Sequence, residues 1–89
     1  MNMVNYEYLD DQLKWLVSSP PKWLTLDEFK EVHDFIDVGE YGVALETLCG
    51  IVVEEKKRIH REKYQKISEL GQMMGIEEDT WLQLKPLVI

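Results

Sequence analysis

The stretch TLDEFKEVHDFIDVGEYGVALETLCGIVV, Thr25 to Val53, decides the fold. Apolar residues return in it every three or four positions: Phe29, Val32 and Ile36, then, beyond Gly39, Tyr41, Ala44, Leu45, Leu48 and Val52. That spacing is one face of a helix, and it occurs twice. Thr25 and Glu28 fit a capping box, in which each side chain satisfies a backbone N–H of the first turn. Asp27 and Glu28 also suit the positive end of a helix dipole. Gly39 accepts left-handed backbone without steric penalty and stops the first helix. The spacing predicts helices over 25–38 and 40–55, and so short a link forces a sharp corner or an antiparallel pair. His33 joins the inner stripe and Leu26 precedes it. Gly42 is expected to allow a close backbone approach.

Upstream, Tyr6, Leu9, Leu13, Leu16 and Val17 predict a helix over 2–18, stopped by Ser18-Ser19-Pro20-Pro21 because proline cannot continue a helix. Downstream, the charged segment from Glu54 to Arg61 turns the chain. Tyr64, Ile67, Leu70 and Met74 then predict a helix over 61–74, with Gly75 as its stop. Gly71 inside that helix carries a propensity penalty of about 1 kcal/mol relative to alanine, which points to a tight helix crossing. A short helix over 78–85 carries Trp81, Leu82 and Leu84, and Pro86 to Ile89 closes the chain in extended form. No segment alternates like a strand over enough residues, and there is no Asn-Gly or Asp-Gly hairpin signal. Ile51-Val52-Val53 is β-branched but continues a helical pattern. The expectation is an all-α single domain over residues 1–89, a bundle of about five short helices.

The chain has 89 residues and a net charge of −7, from 17 acids against 10 bases. Clustered lysine and arginine dominate nucleic-acid affinity, so this balance argues against direct binding of DNA, RNA or an anionic membrane. It suits a basic protein partner, because complementary charge speeds encounter and selects partners. One cysteine, Cys49, rules out an internal disulfide and fits a reducing cytoplasm. The first residues show no basic-then-apolar leader pattern, and no apolar run approaches the roughly 20 residues of a membrane span.

Chemistry-bearing residues are sparse. His33, His60 and Cys49 form no metal-ligand spacing, and there is no nucleophile elbow or phosphate-cradling glycine loop. His33 reads as a core-edge residue, His60 as a cap or surface residue, and Cys49 as a small core hydrophobe. No catalytic residue, metal or cofactor is expected, and a core this small should leave little room for a pocket of a few hundred Å3.

Charge is more informative. From Leu24 to Glu55 run Asp27, Glu28, Glu31, Asp34, Asp37, Glu40, Glu46, Glu54 and Glu55 against Lys30 alone. From Lys56 to Lys66 the sign reverses, with Lys56, Lys57, Arg58, Arg61, Lys63 and Lys66 against Glu62. Asp27, Glu31 and Asp34 share one side of a helix, turned away from Phe29, Val32 and Ile36. Asp37 and Glu40 extend that surface to the corner. These five acids are the candidate partner-binding face. The basic run is too short, with Tyr64 its one nearby aromatic, to make a persuasive nucleic-acid site.

The segment Phe35-Ile36-Asp37-Val38-Gly39-Glu40-Tyr41-Gly42-Val43-Ala44-Leu45-Glu46-Thr47-Leu48-Cys49 resembles the hallmark segment of the MafI-type immunity proteins, with its core hGEYGhALExLC, h apolar. Tyr64-x-x-Ile67-x-Glu69-Leu70-Gly71-x-x-Met74-Gly75 and Trp81-x-x-Leu84 are similar to the same family. The resemblance runs from Leu26 to Ile89; the first segment, with Trp15 and Pro20-Pro21, departs from it. Such proteins are encoded beside polymorphic toxins, including contact-dependent growth inhibition systems, and neutralise the cognate toxin domain. The toxins are often nucleases, EndoU-type RNases among them. The resemblance therefore implies a stoichiometric toxin inhibitor and not an enzyme. A general acidic helical adaptor or antitoxin for another basic partner is the alternative. The hallmark residues are expected to hold the fold, so the resemblance does not place the toxin contacts; charge clustering points to the acidic face for them.

Overall fold

The computed structural model describes residues 5–20 and 22–89. The chain is an all-α bundle: α1 (Tyr6–Ser18), α2 (Leu26–Asp37), α3 (Tyr41–Glu54), α4 (Arg61–Met73) and the short α5 (Asp79–Leu82), followed by a 3-10 turn (Lys85–Leu87). α1 starts later than the expected 2–18; Asn5 caps it, accepting from the Tyr8 N–H at 3.0 Å, and residues 2–4 of that expectation lie outside the described residues. The expected stop at Pro20-Pro21 is likewise described only for Pro20. Thr25 and Glu28 make both bonds of the capping box, at 2.9 and 3.1 Å. Gly39 at φ +79° and Gly75 at φ +69° follow the ends of α2 and α4 in the left-handed conformation.

One apolar cluster draws on all five helices. Leu9, Leu13 and Leu16 of α1 meet Val32 and Ile36 of α2, Leu45, Leu48 and Val52 of α3, and Ile67 and Leu70 of α4. Each such side chain contributes about 1.5–3 kcal/mol when taken fully from water. Gly71 lies against the Trp81 ring: a Cβ there would overlap two of its atoms and press on a third at 3.2 Å. The glycine is thus the contact through which α5 closes on α4. Gly42 plays no such part, since a Cβ on it would meet only Ile76 at an ordinary 3.9 Å. The expected close approach there is corrected: the corner needs its special backbone at Gly39 alone.

The chain end also differs from expectation. The expected helix over 78–85 is two short pieces, and Pro86 sits in a 3-10 turn, where its missing N–H is not needed. Only Val88 and Ile89 are extended. They pair with Ile59, whose N–H donates to Leu87 O and whose carbonyl accepts from the Ile89 N–H, each at 2.9 Å. Ile59 is 1% exposed, so the charged turn between α3 and α4 carries its own core anchor. Tyr6, placed on the inner stripe of its helix by spacing, and Leu26, which precedes the stripe of α2, are 66% and 68% exposed. Each lies in the first turn of its helix, beyond the end of the packed layer.

Candidate functional site

Helix α2 sorts its acids into two groups. Glu28 is consumed structurally: it completes the capping box and pairs with Lys57 at 2.8 Å, while Lys57 also donates to Trp23 O at 3.0 Å. This ties the start of α2 to the turn before α4. Asp27, Glu31 and Asp34 are exposed on the opposite arc from Val32 and Ile36, as the spacing predicts. Among the described residues these three and Glu40 enter no ion pair. Glu40 is the exposed N-cap of α3, but its side chain makes no capping bond. Asp37 turns toward the flank, where its Oδ2 lies 3.2 Å from His33 Nδ1. His33 in turn stacks on Phe29 with ring centroids 5.0 Å apart. The five acids therefore form a stripe of three along α2, with Asp37 and Glu40 on either side of the Gly39 corner.

The corner has a neighbour that spacing alone does not reveal. Tyr6 of α1 stacks on Tyr41 of α3, with centroids 6.2 Å apart and planes at 26°. The Tyr41 hydroxyl donates to Asp10 Oδ1 at 3.3 Å, and Asp10 Oδ2 pairs with Lys14 at 2.8 Å. Burial first, then the Asp10 charge, push the Tyr41 hydroxyl above its usual range. The hydrogen bond to Asp10 leads the causes that raise the Lys14 pKa, and the charges of Asp37 and Asp11 add to it. These residues share one local field, which joins the corner to the outer side of α1. Tyr6, Asp10 and Asp11 are the site residues that sequence reasoning missed. A helical projection could have flagged Asp10 and Asp11 as outward, but the pairing of Tyr6 with Tyr41 needs the packing of α1 against α3.

Much of the basic run is used internally. Lys57 pairs with Glu28, and Lys66 pairs with Glu69 at 2.9 Å while donating to the Tyr8 hydroxyl at 3.0 Å. Lys63 is buried, 3% exposed. Its ammonium sits 5.1 and 5.2 Å from the rings of Trp15 and Trp23 and donates to Leu16 O, Ser19 O and Ser19 Oγ. It thereby satisfies carbonyls at the end of α1, with Trp23 Nε1 donating to the same Leu16 O at 2.8 Å. Burial pushes the Lys63 pKa down. Lys56, Arg58 and Arg61 are the exposed bases left in the run.

Cys49 is buried, and desolvation pushes its thiol up to about 12, so it holds its proton. His60 is the exposed N-cap of α4 and makes no side-chain capping bond. Among the described residues no three His, Cys, Asp or Glu side chains gather closely enough to hold a metal ion, and no helix is long and apolar enough to cross a membrane. The expected lack of room for a pocket is corrected: surface grooves of about 350 to 410 Å3 exist. One, of about 350 Å3, lies by Trp15, His60 and Arg61; another, of about 400 Å3, lies by Trp23, Leu26 and Phe29. Both form where loops meet helix ends. Set beside protein-family models, curated proteins and solved structures, the chain matches none.

Proposed function

We propose that this protein binds and neutralises a basic protein partner, a toxin nuclease domain of the kind that MafI-type immunity proteins inhibit. The observation that carries the reading is the outer face of α2. Asp27, Glu31 and Asp34 stand exposed in a row, and Glu40 extends them across the corner, none of the four in an ion pair among the described residues. A nuclease presents basic side chains to hold phosphate, and a row of carboxylates on a rigid helix can take their place. The GEYGVALETLC segment supports the same reading through its resemblance to the family hallmark. Complexes of this kind bury roughly 1,200–2,000 Å2 in total, and their charge complementarity acts strongly on the association rate.

The test is co-purification with the C-terminal domain of the protein encoded just upstream of this chain, coupled to an RNA-cleavage assay. The expected outcome is a 1:1 complex with cleavage lost at one equivalent of inhibitor. Reversing Asp27, Glu31 and Asp34 to lysine should weaken that complex at least about tenfold and flatten its salt dependence, because exposed charges are screened beyond about 8 Å at physiological ionic strength. Unchanged affinity and salt slope in the triple variant would remove the acidic face from the account. Absence of any complex would remove the toxin-neutralising reading.

A further inference from the structure

The aromatic pair at the corner, Tyr6 exposed and Tyr41 half-buried, asks for an occupant. Tyr6 is 66% exposed and lies in offset stacking on Tyr41. Val38, at the end of α2, is 72% exposed. An exposed aromatic side chain in an acidic setting has the composition of an interface centre: aromatic anchors surrounded by a polar rim supply most of the binding energy. The chemistry of the occupant follows from what surrounds the rings. Asp10 accepts from the Tyr41 hydroxyl at 3.3 Å, and its other oxygen holds Lys14 in a pair whose lysine is 45% exposed. A pair that open is weak, so a stronger cation can displace it. The faces of tyrosine rings attract cations, and a guanidinium can stack on a ring while its fork meets a carboxylate. An ammonium can touch a ring and a carboxylate together, as Lys66 does with Tyr8 and Glu69, but it has neither the flat stacking face nor the two-pronged fork of a guanidinium. Asp37 and Asp11, whose charges act on Lys14, add to the pull on an incoming cation.

We propose that the corner where the start of α1 meets the start of α3, with Tyr6 stacked on Tyr41 beside Asp10, is the anchor site at which a basic protein partner seats an arginine side chain. The outer face of α2 then acts as the steering field around it. The inference rests on the reading of this chain as a binder of a basic protein, and it moves the energetic centre of that interface from α2 to the α1–α3 corner.

The first measurement uses isotope-labelled full chain titrated with an amide-capped tetra-arginine peptide and, separately, tetra-lysine, followed by NMR. Shifts should centre on Tyr6, Asp10 and Tyr41, and the arginine peptide should bind at least about threefold more tightly, through stacking that lysine lacks. Tyr6→Ala should weaken the arginine peptide about fivefold or more, while Tyr6→Phe, which keeps the ring, should stay within about twofold. Tyr6 is exposed enough for the alanine variant to keep the fold, which its melting curve checks. Shifts confined to the α2 acids, no binding at all, or a Tyr6→Ala variant within about twofold of the original would each overturn the anchor.

The second arm repeats Tyr6→Ala in binding to the neighbouring-gene toxin domain. A complex that tolerates Tyr6→Ala but not the α2 charge reversal overturns the anchor and leaves the toxin reading standing. A toxin domain that does not bind, with the peptide still mapping to the tyrosine corner, defeats the toxin reading and supports the anchor for another basic protein.

Discussion

Lys63 shows how one side chain can serve several elements. Its stem follows the inner face of α4, one turn before Ile67, and its ammonium ends between two tryptophans at the carbonyls that finish α1. The hydrogen bonds and the two ring faces favour the charged form, while desolvation opposes it. Truncation removes both the bonds and the packing. Lys63→Ala is expected to lose about 2–4 kcal/mol of stability, and Lys63→Met, which keeps the stem, about 1–2 kcal/mol. Urea denaturation followed by tryptophan fluorescence measures both, since Trp15 and Trp23 flank the site. A methionine variant as stable as the original would mean that the tryptophan sandwich works by apolar packing alone.

At the scale of elements, the junction of α4 and α5 reverses an ordinary rule. Glycine to alanine in a helix interior normally stabilises by about 1 kcal/mol. At Gly71 the added methyl would overlap the Trp81 ring, and Trp81 is 4% exposed with nowhere to move. Gly71→Ala is therefore expected to destabilise by about 1–3 kcal/mol, the usual magnitude of overpacking. Thermal melts and the Trp81 contribution to near-UV circular dichroism check the sign. A gain in stability would show that α5 repacks freely. This crossing was legible in the sequence, because an unfavourable glycine inside a strong helical pattern needs a packing reason. The role of Gly42 was misread from the same kind of signal: a glycine near a helix start can be tolerated without any close contact.

At the scale of the whole molecule, opposite charges join the elements as well as covering the surface. Glu28–Lys57 joins α2 to the turn before α4, and the group of Tyr8, Lys66 and Glu69 joins α1 to α4. For Glu28, burial alone would raise the pKa, but the Lys57 bond and the Thr25 N–H outweigh it and the net shift is downward. For Glu69, Lys66 and then Tyr8 lower it. A carboxyl with a lowered folded-state pKa contributes stability that is complete above its unfolded value, here 4.5. That contribution is lost as pH falls from there through the lower folded value. The melting temperature should drop over this window, and Glu28→Gln should flatten the drop by removing about 1 kcal/mol already at neutral pH. Side-chain exposure of 42% at Glu69 against 16% at Glu28 makes Glu28 the larger effect of the two. A Glu28→Gln variant whose pH profile parallels the original would remove the pair from the account.

Local features can be read from the chain alone. Helix positions follow from apolar spacing, the start of α2 from Thr25 and Glu28, and the corner from Gly39, because these signals act within one turn of backbone. The outward position of Asp27, Glu31 and Asp34 belongs to the same class, since periodicity sets the angle of a side chain around its own axis. Periodicity does not say how far along a helix its neighbours reach. Tyr6 has the spacing of a core residue and stands in solvent, as does Leu26 just before its stripe, whereas Ile59, in a charged turn, is buried. Lys63 sits in the apolar register of Ile67 and Leu70, a position from which burial could have been inferred, but only the meeting of α1 and α4 supplies acceptors and rings for its charge. Tyr6, Asp10 and Tyr41 become one site only where α1 packs on α3, because side chains 31 to 35 positions apart interact through space and leave no periodic trace in the chain.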